Sequence, residues 1–173
     1  MTTVVYRDGT LAADSLLVQG SIKCPESMNK LVMGRTHPVL YAMAGKISAL
    51  AATVRILEAM PVAPWDGGEF PTRPPLDANS ELVAFHRDGR IFSFETDGLW
   101  FEPAEVPFMA LGSGAKAALG ALHMGADAVR AVEIACLTDA YTGGPIVTMR
   151  LSDIRADRSD IEGHGAVVAR LVA

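Results

Sequence analysis

The sequence is poor in cysteine, has no surplus of positive charge and contains no long apolar run. Its two cysteines, Cys24 and Cys136, cannot build a disulfide framework, and both stand among apolar neighbours. That usage points to a reducing cytoplasm. A net charge of −5 and a pI near 5.3 exclude the basic stripe that a nucleic-acid surface needs. No apolar run reaches membrane-spanning length. Arg7 and Asp8 interrupt the first residues before the apolar stretch of a signal peptide can form. Partner classes that include nucleic acid or a membrane are therefore not expected.

Several catalytic signatures are missing too. The four histidines, His37, His86, His123 and His164, show no H-x-x-x-H pairing, so no metal site is expected. No G-x-S-x-G elbow is present to hold a Ser-His-Asp triad. Gly112-Ser113-Gly114 follows a strand pattern and opens a helical one, but the next glycine, Gly120, lies too far on for a dinucleotide loop. Lys116 lacks the glycine spacing of a phosphate loop. The segment reads as a tight turn with Ser113 capping the helix.

What remains is a chain of 173 residues, half of them hydrophobic and 20% charged, which reads as one globular domain over 1–173. Its mean hydropathy of +0.25 is high for a soluble monomer and fits either buried subunit contacts or a large core. Thr3 to Tyr6 and Thr10 to Asp14 form a hairpin around Arg7-Asp8-Gly9. Leu16 to Ile22 and Met28 to Met33 are the next strand pair, with Pro25 in their connection. Val39 to Ala44 is a wholly apolar strand ending at Gly45. Beyond it Ile47, Leu50, Ala51, Val54 and Leu57 share one helical face, and Pro61 ends that helix.

Val62 to Asn79 is a proline- and glycine-rich, lid-like loop that Trp65 and Phe70 pack down. Strands follow at Glu81 to His86, Ile91 to Glu95, Leu99 to Phe101 and Val106 to Leu111. Helices run to His123 and from Asp127 to Leu137, the second with Val129, Val132, Ala135 and Cys136 as its apolar stripe. Pro145 to Leu151 is the last strand, and the tail from Ser152 is charged before turning apolar at Ala166 to Val172. Parallel βαβ alternation is absent. Antiparallel strand runs with grouped helices suggest stacked layers, sheets inside and helices outside.

A few residues are candidates for chemistry. Thr2 follows an initiator methionine that can be trimmed when a small side chain succeeds it. A threonine at a chain terminus carries its own base, because the α-amine titrates near ~8 and can take the proton of the hydroxyl. The plain alternative is a start codon followed by an edge strand. Lys30 lies among apolar neighbours in a strand, where it is either a solvated residue or a buried cation held by a carboxylate such as Asp14. Asp139 and Thr142 stand three apart in a glycine-rich turn; they either converge on one spot or simply end a helix.

Together these segments resemble the proteasome β-subunits and the bacterial peptidase HslV, members of the N-terminal nucleophile hydrolases. The resemblance rests on Thr2-Thr3-Val4-Val5, Leu11-Ala12-Ala13-Asp14, Met28-Asn29-Lys30-Leu31, Met43-Ala44-Gly45, and Gly112-Ser113-Gly114 with Asp139 to Gly144, in that order. It implies an α+β fold of four layers, an αββα sandwich with two antiparallel sheets flanked by helices. It implies a threonine peptidase in which Thr2, exposed by removal of Met1, is the nucleophile and its amine the base. Lys30 is then the cation beside the threonine, and Asp14 holds it. The Gly45 amide donates to the oxyanion, and Ser113, Asp139 and Thr142 form the network around the amine. Leu17, Val32 and Met43 shape a pocket for an apolar side chain.

By the same resemblance no metal or organic cofactor is needed. The partners are a peptide or unfolded polypeptide substrate, a closed ring of identical subunits and an ATPase unfoldase. The chain departs from the family in its shorter first hairpin, in Thr142 where serine is commoner, and in a proline-rich loop where a second helix is usual. Two other readings stay open: a small-molecule amidase on the same fold, and a ring-forming scaffold that keeps Met1.

Overall fold

The computed structural model describes residues 2–61, 65, 76–94, 100–101 and 106–154. Expectations for Phe70, for most of the lid-like loop, for Glu95 and Leu99 and for the tail from 155 onward lie outside these residues. Strands β1 (Thr3–Arg7) and β2 (Thr10–Ala13) form the expected hairpin. Its turn residues Asp8 and Gly9 both take positive φ, 50° and 74°, which matches the right-handed twist of the flanking strands. β1 also pairs with β10 (Phe108–Gly112), and β2 with β11 (Val147–Arg150). The resulting antiparallel sheet has the order β10-β1-β2-β11, so the N-terminal strand sits inside it rather than at an edge.

The second sheet is an antiparallel series, β5 (Leu31–Met33), β6 (Val39–Ala44), β7 (Glu81–His86), β8 (Ile91–Phe94) and β9 (Trp100–Phe101). Helix α1 (Ile47–Glu58) lies in the connection between β6 and β7. The pair α2 (Ala115–His123) and α3 (Ala128–Thr138) joins β10 to β11.

The strand pair after the first hairpin differs from the expected one. β3 (Leu16–Gln19) turns at Gly20-Ser21 into β4 (Ile22–Ser27), so Pro25 lies inside a strand instead of a connection. Proline is tolerated there because, among the described residues, this sheet has two strands, and the missing N–H can face away from the partner. The register slips between Leu16 and Val18, which marks an irregularity in β3.

Three apolar clusters show how the elements stack. One joins inward side chains of both large sheets, including Val4, Leu11, Leu40, Val83 and Phe85. A second joins the outer face of the five-stranded sheet to α1 through Tyr41, Leu50, Leu57 and Phe92. Trp65 is fully buried in it, edge-on to Tyr41 and Phe92 at 6.2 and 5.4 Å. The third lies between Val5 and Ala12 of the four-stranded sheet and the helix pair. Its contacts are mostly alanines, Ala118, Ala121, Ala128, Ala131 and Ala135, whose size lets the helices approach the strands closely. The fold is α+β. No helix among the described residues is long and apolar enough to cross a membrane.

Candidate active site

The end of the hairpin brings the first chemistry together. Asp14 follows β2 and is completely buried, a costly place for a carboxylate unless donors surround it. Four do. Its Oδ1 accepts from Lys30 Nζ at 2.7 Å and from the Thr3 amide at 2.8 Å. Its Oδ2 accepts from the Gly143 amide at 3.0 Å and the Leu16 amide at 3.2 Å. A carboxylate has about four lone-pair sites, so this one is saturated. Asp14 thereby ties the first strand, the segment that leads into β5 and the 139–144 turn to one point.

Lys30 is 5% exposed, so the reading of a solvated strand lysine is not what the structure has. It gives one of its three N–H donors to Asp14 and lines the same narrow cleft as Thr2, which is 4% exposed. Burial pushes the Lys30 ammonium below the ordinary lysine range, and the Asp14 charge pulls it part of the way back.

A second cluster gathers on Asp139. Ser113 Oγ donates to Asp139 Oδ2 at 2.5 Å, and Thr142 Oγ1 donates to the same oxygen at 2.6 Å. Each hydroxyl has one proton, so with that of Thr142 spent on Asp139, the 2.7 Å contact between Thr3 Oγ1 and Thr142 Oγ1 is donated by Thr3. Ser113 Oγ also lies 3.5 Å from the Thr2 carbonyl oxygen. Ser113 is not the helix cap: Gly114 stands at the N-cap of α2 with no side chain to cap it, and the Ser113 hydroxyl is turned to Asp139. Likewise Asp139 does more than end α3, since it collects two hydroxyls and the Tyr141 amide.

Partial burial of Asp139 acts to raise its pKa, but the Ser113 and Thr142 hydroxyls outweigh it and hold the carboxyl below its ordinary 3.8. A group held down in this way stabilises the folded state above the unfolded value, and that contribution is lost as pH falls through the folded one. Thr142→Val is accordingly expected to raise the Asp139 pKa towards its unfolded value and so to shrink the stability that this carboxylate contributes at neutral pH and loses in acid. Carboxyl titration by NMR checks this; an unchanged Asp139 titration would contradict the hydroxyl contact.

Two glycines make room for the cluster. Gly112 has φ +87°, and a side chain there would meet the Thr2 carbonyl oxygen. A side chain at Gly114 would meet the Thr3 hydroxyl and, at 2.9 Å, that of Thr142.

The cleft beside Thr2 is lined by Lys30, Gly45, Met43 and Leu17, all sequence-expected residues. Val32 is not among its lining; it packs on the cluster beneath α1. The apolar walls come instead from Leu16, Val18, Met28 and Leu50. The slip in β3 lets three successive residues, Leu16, Leu17 and Val18, face one cleft, which strict alternation would forbid. Thr3 is the other residue that sequence reasoning missed. Its signal was the Thr2-Thr3 doublet: successive strand residues point opposite ways, so one threonine faces the cleft and the next faces the Asp139 cluster.

No protein-family model and no curated protein matches the chain. Among solved structures it is similar to Thiobacillus denitrificans BPH in complex with epoxomicin, at 20% identity and a TM-score of 0.57, over 87% of this chain and 98% of that one. The two chains share a fold. At that identity the likeness carries no residue roles, so the site rests on the geometry above.

Proposed function

We propose that the chain is a threonine-type peptidase, a single domain built as a four-layer αββα sandwich, with Thr2 as its nucleophile once Met1 is removed. The observation that carries this is the buried Lys30–Asp14 ion pair opening on the same cleft as Thr2. A fixed cation beside the threonine lowers the cost of generating the alkoxide and disfavours a second positive charge on the freed amine. The Thr2 hydroxyl attacks the scissile carbonyl and its proton passes to the amine. The Gly45 amide receives the oxyanion. The amine then protonates the leaving group, and water hydrolyses the threonyl ester. Ser113, Asp139 and Thr142 hold the amine's surroundings in place.

The apolar walls contributed by Leu17, Met28 and Met43 suit an apolar side chain on the acyl side of the cut bond. The substrate is a peptide or unfolded polypeptide, and identical subunits enclose the clefts in a ring. Similarity to a structure in complex with epoxomicin supports the same reading.

The test combines mass and reactivity. Protein from its natural host is expected to have lost one methionine mass. Epoxomicin is expected to add once per chain, with the adduct on Thr2, and to block cleavage of fluorogenic peptides with apolar acyl-side residues. Retained Met1 with no adduct would favour the scaffold. Turnover of small amides alone would favour the amidase.

A further inference from the structure

Gly45 is pressed against a neighbour that the chemistry above does not use. With φ at +122°, a side chain at Gly45 would come within 2.5 Å of the Asn79 carbonyl oxygen and 2.6 Å of Ser80 Cα. The backbone of 79–80 therefore backs directly onto this glycine. Ser80 is 4% exposed, and its hydroxyl makes two bonds there. It accepts from the Lys46 amide at 3.1 Å and donates to Asp77 Oδ1 at 2.7 Å. Asp77 is fixed in turn, because Oδ1 also accepts from the Asn79 amide at 3.2 Å and its carbonyl from the Ser80 amide at 3.0 Å.

The Lys46 amide shares its peptide plane with the Gly45 carbonyl, and that plane is joined through the Gly45 Cα to the Ala44–Gly45 plane that carries the Gly45 N–H. Lys46 is also the first residue of the α1 cap, and it has no side-chain cap of its own. Glycine at positive φ is the most freely rotating unit of a backbone, so a turn placed there points its amide well only if something outside the turn holds it.

We propose that Ser80, oriented by Asp77, is a positioning residue that fixes the Gly45–Lys46 peptide and packs on the Gly45 Cα, and through that joint sets the aim of the Gly45 N–H for oxyanion binding. The inference rests on the reading of Gly45 as the oxyanion donor. Its chemistry is specific. A donor aimed at the charge that develops during attack lowers the barrier without tightening the ground state. Loosening the aim should therefore lower kcat and leave KM in place. Removing a whole oxyanion donor costs about 10²–10³ in kcat, so misaligning one should cost about tenfold.

The experiment measures peptide hydrolysis by full-length wild type, Thr2→Ala, Ser80→Ala, Ser80→Thr and Asp77→Ala, with hydrogen exchange at the Lys46 amide as a readout independent of turnover. Ser80→Ala is expected to lower kcat about tenfold with KM unchanged and to speed Lys46 amide exchange. Ser80→Thr, which restores the hydroxyl, should recover most of both. Asp77→Ala, which leaves the hydroxyl unanchored, should fall between, and it serves as the probe if Ser80→Ala does not fold. Wild-type kcat in Ser80→Ala, a parallel change in KM, or no recovery by threonine would overturn the Ser80 assignment while turnover that depends on Thr2 still stood. Equal inertness of wild type and Thr2→Ala would instead remove the peptidase reading, and this inference with it.

Discussion

Thr2→Ala is expected to lower peptide turnover by about 10⁴-fold or more and to abolish the epoxomicin adduct, while the protein folds as before. The size of the effect follows from what is removed. In this chemistry the nucleophile and its base belong to one residue, and deleting the hydroxyl leaves no other oxygen in position. Ser113 cannot substitute, since its proton is held on Asp139 at 2.5 Å. Thr3 faces the Thr142 side of the strand and not the cleft. Stability should change little, because no described hydrogen bond uses the Thr2 hydroxyl; the described hydrogen bond to this residue is the long one from Ser113 to its carbonyl oxygen, which alanine keeps. A melting temperature within a few degrees of wild type, alongside lost turnover, is the expected pair of results. Turnover comparable to wild type would end the assignment.

Lys30→Ala should be nearly as severe for turnover and, unlike Thr2→Ala, severe for the fold. Removing one partner of a buried ion pair typically costs about 3–5 kcal/mol, because the remaining charge is stranded. Asp14 is completely buried, and only Lys30 among its four donors carries a charge. For a chain of this size that cost corresponds to a fall in melting temperature of about 6–20 °C. The two effects can be separated. Lys30→Arg keeps a cation and should recover part of the stability, yet its planar, branched head cannot reproduce the ammonium's place beside Thr2, so turnover should stay low. Thermal melts and peptide kinetics on both variants check this. Full stability in Lys30→Ala would mean that Asp14 is satisfied by backbone amides alone.

The legible parts of the fold were those governed by local periodicity. The apolar run of β6, the glycine that ends it and the alanine-rich α2 and α3 were readable because each carries its pattern within about a dozen residues. Pro25 misled because proline signals a break only where an N–H is needed, and nothing local reveals that β4 has one neighbour among the described residues. Ser113 misled for a related reason. Its spacing fits a helix cap, but the cap position falls to Gly114 and the Ser113 hydroxyl turns to Asp139, 26 positions away. The walls of the cleft differ because the slip in β3 breaks alternation, and a slip of this kind has no composition of its own; Val32, on β5, packs against the cluster under α1 instead.

The candidate site was legible through the resemblance more than through the residues. Lys30 and Asp14 are separated by 16 positions and could each be read as surface groups until the strands are folded together. Ser80 and Asp77 were invisible, since a serine after a loop has ordinary explanations and its partner Lys46 lies 34 positions back.

The placement of β1 between β2 and β10 has a consequence for a chain still emerging from the ribosome. Thr3 pairs with Gly112 of β10, and the Gly143 amide completes Asp14, so both contacts wait for segments more than a hundred residues further along the chain. Pairings this distant in sequence form late, after long loops have closed. A nascent chain therefore cannot complete the surroundings of Thr2 and Asp14 until residue 143 has left the ribosome.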